Sequence, residues 1–215
     1  MKQIFPGVYK IRGKIATENS TPGFRVYDEK LIKKGDKEYR IWDPYRSKLA
    51  AAILKGLRDL PFKRDSNVLY LGASSGTTAS HVSDICSSGM IYCVEYSKRM
   101  MRNLFQVCEK KRNMIPILGD ARYPETYFHN IAIVDVIYQD VAQPNQADIL
   151  IRNSEKFSLN YAILAIKSRS INAVRSPKKI FREETEKLKE RFNVMQVIDL
   201  RPYDKDHMLV NLKSR

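Results

Sequence analysis

Two strand-like segments, FNVMQVIDL (192–200) and HMLVNL (207–212), lie near the end of this 215-residue chain with only RPYDKD between them. Parallel neighbours need a crossover of about a dozen residues or more, so a link this short demands an antiparallel pair. Upstream the pattern differs. Apolar strand candidates at 67–71, 90–95, 114–118, 132–139 and 160–167 alternate with helix candidates at 77–87, 97–111, 146–157 and 176–191. Such alternation predicts a parallel sheet covered on both faces. Together the two patterns require an α/β fold: a Rossmann-like, seven-stranded, mostly parallel sheet with one reversed strand.

Residues 1–42 read as a small N-terminal β region, and residues 43–215 as the main domain. Strand candidates are Val8 to Ile15, Phe24 to Tyr27, Leu31 to Lys33 and Lys37 to Trp42, with KKGDKE (33–38) as a hairpin turn. DPYRSKLAAAILKGLRDL (43–60) reads as a helix capped by Asp43, with Pro44 in its first turn. Leu49, Ile53, Leu57 and Leu60 would form its apolar face.

Lysine and arginine number 38 against 24 acids, a net charge of +14. A surface this basic favours polyanions, with nucleic acid the leading partner class. No apolar run reaches the roughly 20 residues of a membrane span, and MKQIFPGVYKIRGK has no signal-peptide core, so no membrane association or secretion is expected. Three cysteines without a CxxC pair fit reduced thiols in a cytosol-like compartment. The three histidines lie in no metal-binding pattern, so no metal is expected. His81 and His129 read as ordinary structural or surface residues; His207 has the better claim to proton chemistry.

VLYLGASSGTTASHV (68–82) reads as strand, glycine turn and helix, with Gly72 and Gly76 bracketing the turn. It is no dinucleotide fingerprint, because Ser74 stands where the second glycine belongs, and no P-loop, because no Lys-Ser/Thr follows Gly76. Three successive strands then end in acids: Glu95 in YCVEYS, Asp120 in LGDAR and Asp140 in YQDVAQ. Each acid alone could simply cap the next helix. Three at the carboxyl edge of one sheet favour a nucleoside site, with Glu95 suited to ribose hydroxyls. A parallel sheet with a reversed strand and no phosphate cradle is the pattern of the class I methyltransferases, which carry S-adenosyl-L-methionine (AdoMet).

Several stretches resemble the archaeal fibrillarins: WDPYRSKLAAAI (42–53), VLYLGASSGTTASHVSD (68–84), VEYSKR (94–99), GDAR (119–122), QDVAQPNQADIL (139–150), AIKSRSI (165–171) and YDKDHMLV (203–210). They span most of the chain. Asp43 and Asn172 depart from the family pattern, where Asn and Asp are expected, and the Gly/Arg-rich extension of eukaryotic relatives is missing.

The resemblance implies an AdoMet-dependent RNA 2′-O-methyltransferase of box C/D particles in the archaeal cytoplasm, acting on rRNA and as a second candidate on tRNA. It implies a Nop5-type scaffold, L7Ae and a box C/D guide RNA as partners. It also implies a catalytic set of Lys48, Asp140, Lys167 and His207, and AdoMet contacts from Thr77, Thr78, Glu95, Tyr96, Asp120, Ala121 and Asp140, Val141, Ala142 and Gln143. Gly72 and Gly76 complete the expected cofactor set. On chemical grounds Lys167, at the end of an apolar strand, could take the hydroxyl proton when neutral or stabilise the oxyanion when charged. The clusters KSR (167–169) and RSPKK (175–179) are candidate phosphate holders beside this edge, or simply a solvated face.

Overall fold

The computed structural model describes residues 1–215. Five strands open the chain: β1 (Lys2–Phe5), β2 (Val8–Ile11), β3 (Lys14–Glu18), β4 (Leu31–Lys34) and β5 (Lys37–Ile41). They form an antiparallel sheet of order β1-β2-β3-β5-β4. Val8 to Ile15 is thus a hairpin rather than one strand. Arg12 (φ 48°) and Gly13 (φ 81°) both adopt left-handed backbone, which turns the chain back on itself. Phe24 to Tyr27 is not a strand either. The Glu29 carboxylate accepts the backbone N–H groups of Val26 and Tyr27, removing them from any ladder.

The helix expected at 43–60 is shorter: α1 spans Lys48–Leu54. Asp43 instead closes a local turn by accepting the Tyr45 N–H, and Ser47 caps the helix through the Ala50 N–H. Leu57 and Leu60 are buried as expected, but from the loop beyond the helix.

The second sheet contains β6 (Val68–Leu71), β7 (Ile91–Glu95), β8 (Met114–Leu118), β9 (Val136–Gln139), β10 (Tyr161–Lys167), β11 (Phe192–Asp199) and β12 (His207–Ser214). Its helices are α2 (Thr77–Ile85), α3 (Lys98–Lys110), α4 (Gln146–Ser154), the short α5 (Ser168–Ile171) and α6 (Pro177–Leu188). The strand order is β11-β12-β10-β9-β6-β7-β8. β12 pairs antiparallel with both β10 and β11, and the other contacts are parallel. The predicted α/β sheet with one reversed strand is therefore present. β9 is shorter than expected and begins at Val136; just before it the Asp135 carboxylate accepts the Asn67 N–H.

Alternation along β6 sends Val68 and Tyr70 into one core and Leu69 and Leu71 into the other. The first core also contains Val8 and Ile15 of the N-terminal sheet, Trp42 and most of α1. Chain order reverses between β6 and β9, so a crevice opens at their carboxyl ends.

A buried polar network joins the two sheets. Arg40 pairs with Glu29 at 2.6 Å and Asp84 at 2.8 Å, and Lys111 reaches Asp84 at 2.5 Å. Asp84 also accepts from Thr17 and Ser20. His81, fully buried, lies 2.7 Å from the Thr17 and Tyr27 hydroxyls and stacks on Trp42. Burial first, then the charges of Arg40 and Lys111, hold His81 well below the usual imidazole range.

The sign of the pH effect follows. The unfolded chain takes up this proton near pH 6.5 while the folded chain refuses it, so stability rises with pH in that window. On acidification below about pH 6.5, His81 should drain at most about 1.4 kcal/mol per pH unit. Denaturation midpoints measured from pH 7.5 to 5 should show this slope. His81→Gln should flatten it.

Candidate active site

The crevice at the carboxyl ends of the strands contains a cavity of about 250 Å³. Gly72, Glu95, Asp120 and Asp140 line it from β6, β7, β8 and β9, and Lys167 from β10. The three strand-terminal acids thus meet in one place. Tyr96, Ala121, Val141, Ala142 and Gln143 also line it, as do Ser74, Val94 and Gly119, which sequence reasoning passed over. Ser74 has a structural reason to be there: its backbone (φ 52°) aims its N–H at the Glu95 carboxylate, 2.8 Å away. The other Glu95 oxygen accepts the Ser97 N–H at 2.7 Å.

Gly72 is required by close backbone approach. Its φ is +80°, and a Cβ there would sit 2.9 Å from the Asp140 carbonyl oxygen. Gly76, Thr77 and Thr78 lie outside the residues that line the cavity. A Cβ on Gly76 would press on Leu104 and Val107, so this glycine lets α3 pack against the turn. Thr78, buried, donates to the Ser47 hydroxyl at 3.0 Å and so anchors the cap from which Lys48 emerges.

Asp120 is held by the Arg122 guanidinium, at 2.6 Å in its shortest contact. That hydrogen bond, outweighing burial, keeps the carboxyl below its ordinary range. The following loop is fixed where Asn153 of α4 donates to the Ala121 carbonyl.

Asp140 stands between two lysines. Lys167 Nζ lies 2.8 Å from its carboxylate and donates to its backbone carbonyl at 2.8 Å. Lys48 Nζ approaches the same carboxylate from α1 at 3.2 Å. Lys48 also reaches Asp204 at 3.7 Å, and Asp204 lies 2.6 Å from His207 Nδ1. Lys167 and His207 are register partners across β10 and β12. All four predicted catalytic side chains therefore belong to one row.

Two residues that support the row carry no sequence signal of their own. Gln146, fully buried at the start of α4, accepts the Lys167 N–H at 2.8 Å and donates to the Lys167 carbonyl at 3.2 Å. It fixes the backbone that carries the lysine. Asp204 was visible only as one acid in PYDKDH, a turn-like run that hides which carboxylate faces inward. His81 is structural and His129 exposed, as expected. No group of three or more His, Cys, Asp or Glu side chains converges as a metal site would.

Beside the row runs a groove of about 740 Å³ between α6 and β11. His207, Lys178, Arg182 and Arg201 line it, with Asp199 and Asp206. Arg201 pairs with Asp199, and Arg169 with Asp206. Arg175, from the RSPKK cluster, pairs with Glu183. Lys178 and Arg182 are engaged in no ion pair. Lys167 of the KSR cluster and Ser176, Pro177 and Lys178 of the RSPKK cluster thus border the cavity and the groove beside it.

This strand order, with β12 reversed and the crevice at the β6/β9 reversal, is that of the class I AdoMet-dependent methyltransferases. Within that class the chain belongs to the fibrillarin family, whose family model, described as Fibrillarin, matches residues 1–215. A "fibrillarin-like rRNA/tRNA 2′-O-methyltransferase" of Methanopyrus kandleri is 53% identical over 213 residues, covering 95% of this chain and 92% of that protein. The structure of Aeropyrum pernix fibrillarin with natively bound AdoMet is similar at a TM-score of 0.87 and 46% identity, over 95% of this chain and 92% of the other. Fibrillarin from a fibrillarin/Nop5p complex is similar at a TM-score of 0.91 and 36% identity over the whole of both chains.

Proposed function

We propose that this chain binds AdoMet in the acid-lined cavity and methylates ribose 2′-hydroxyls of RNA. It does so as the catalytic subunit of a box C/D guide particle. The observation that carries this reading is the row in which Lys167 and Asp140 line the cavity and Lys48 meets the Asp140 carboxylate. Pre-rRNA is the first target class and tRNA the second, after the relatives' names. A Nop5-type scaffold, supported by the Nop5p complex of a relative, L7Ae and a guide RNA complete the particle. We assign residues 1–42 to a framing β region and 43–215 to the methyltransferase unit. We place the chain in the cytoplasm, after its archaeal relatives. Separately, no helix is long and apolar enough to cross a membrane.

The cavity fits AdoMet on its donor set. Glu95 and Asp120 offer carboxylates that suit ribose hydroxyls and a cationic ligand, and would repel a pyrophosphate. Bound there, AdoMet supplies a methyl group already activated by the sulfonium charge. Glu95, Asp120 and the 140–143 segment would hold it.

The chain's remaining work is to orient the hydroxyl and manage its proton. His207 Nδ1 lies 2.6 Å from both the Asp204 carboxylate and the Lys205 carbonyl. Both are acceptors, so Nδ1 carries the hydrogen and a neutral ring leaves Nε2 free to accept. That favours His207 as the proton acceptor. Lys167, fixed by Asp140 and Gln146, then supplies positive charge to the developing alkoxide. The isolated chain should bind AdoMet saturably in calorimetry, with no competition from NADH. An absence of saturable AdoMet binding would contradict the reading.

The groove beside His207 is the natural path for the RNA strand, with Lys178 and Arg182 as its uncommitted cations. Lys178→Ala with Arg182→Ala should raise the particle's KM for target RNA about tenfold or more and reduce its salt dependence. The kcat at saturating RNA should stay unchanged. Steady-state assays at two ionic strengths check both.

A further inference from the structure

We propose that Asp204 is a positioning residue for methyl transfer: it shares the His207 Nδ1–H with the Lys205 carbonyl, stabilises the imidazolium that forms and joins His207 to Lys48. The inference rests on the methyltransferase reading above. Its basis is geometric. The Asp204 carboxylate lies 2.6 Å from His207 Nδ1 and 3.7 Å from Lys48 Nζ, so it is the one group that touches both halves of the row. The loop that carries it is fixed at both ends. The Asp204 and Tyr203 N–H groups donate to the Leu200 carbonyl, and the Asp206 carbonyl accepts from the N–H and hydroxyl of Ser168. Burial raises the Asp204 carboxyl, but the hydrogen bond to His207 and the neighbouring Lys48 ammonium outweigh it and hold the carboxyl below its ordinary range.

The arrangement follows the logic of the aspartate–histidine pair in serine hydrolases. There a carboxylate on Nδ1–H leaves Nε2 to take a hydroxyl proton and stabilises the imidazolium that results. Here the ribose O–H proton passes to His207 Nε2. The oxygen's lone pair forms the new bond to the methyl carbon, and the methyl–sulfur electron pair stays with sulfur. Asp204 then faces the imidazolium, and Lys48 keeps the carboxylate in place.

The test uses the assembled particle with guide and target RNA, and single-turnover rates for Asp204→Asn, Asp204→Glu, His207→Ala and the double variant Asp204→Asn/His207→Ala. Asp204→Asn should slow transfer by about 10²-fold, with the KM for RNA and the AdoMet affinity within about twofold of the parent. Asp204→Glu should recover most of the rate. The double variant should be no slower than His207→Ala alone, because Asp204 acts through the histidine. A parental rate in Asp204→Asn, or losses that multiply in the double variant, would overturn the assignment. If Lys167→Ala abolishes transfer while Asp204→Asn does not slow it, this inference alone fails. A parental particle that transfers no methyl group would overturn both.

Discussion

Replacing Lys167 by alanine is expected to slow methyl transfer by about 10³-fold while AdoMet still binds. Lys167 is the member of the row that lines the cavity and contacts Asp140 through both carboxylate and carbonyl. Removing its ammonium group strips the cavity lining of its only lysine. It also leaves the Asp140 carboxylate with Lys48 alone, so the row loses its alignment. Glu95 and Asp120, on the far strands, are untouched, which is why binding survives. Single-turnover transfer and calorimetry on the same variant separate the two effects. Unimpaired turnover would remove Lys167 from the mechanism.

The second large effect lies far from the cavity. Asp84→Ala should cost about 3–5 kcal/mol, because it leaves Lys111 buried with no paired carboxylate and Arg40 with Glu29 alone. That is a large share of a stability of about 5–15 kcal/mol. Burial raises the Asp84 carboxyl, but Lys111 and Arg40 outweigh it and hold it below its ordinary value. A carboxylate depressed in this way contributes its stability above the unfolded value of about 3.9, and that contribution drains as pH falls toward the folded value. The parent should therefore lose stability steeply below about pH 4, and the variant less so. Denaturant titrations at pH 7 and pH 3.5 check both statements; a loss under about 1 kcal/mol at pH 7 would contradict them. Function feels the same network. Asp84 and His81 belong to α2, whose Thr78 holds Ser47 and with it the start of the helix that presents Lys48.

Much of this architecture was legible in the residues because it rests on local periodicity. The link RPYDKD is too short for a crossover, so the reversal of β12 followed from length alone. Glu95, Asp120 and Asp140 could be placed on one edge because each follows an apolar strand. What escaped notice depends on contacts distant in the chain. Asp43 looks like a helix cap, but its carboxylate is spent on Tyr45 and the helix waits for Ser47. Phe24 to Tyr27 has the composition of a strand, yet Glu29 takes its N–H groups. Thr77 and Thr78 follow the glycine turn as cofactor contacts would, and the Thr78 hydroxyl also donates to Ser47, a contact 31 residues away that periodicity does not reveal. Gln146 and Asp204 gain their significance only from Lys167 and His207, which lie across the sheet.

Guide-directed ribose methylation is tested by transfer of tritium from methyl-labelled AdoMet to RNA, with guide RNA supplied and withheld. The particle would hold this chain, a Nop5-type scaffold and L7Ae, and the labelled nucleotide would be mapped. A single 2′-O-methyl group opposite the guide is expected, and none when the guide is left out. Equal, site-specific labelling without guide RNA, or label on a base, would contradict it.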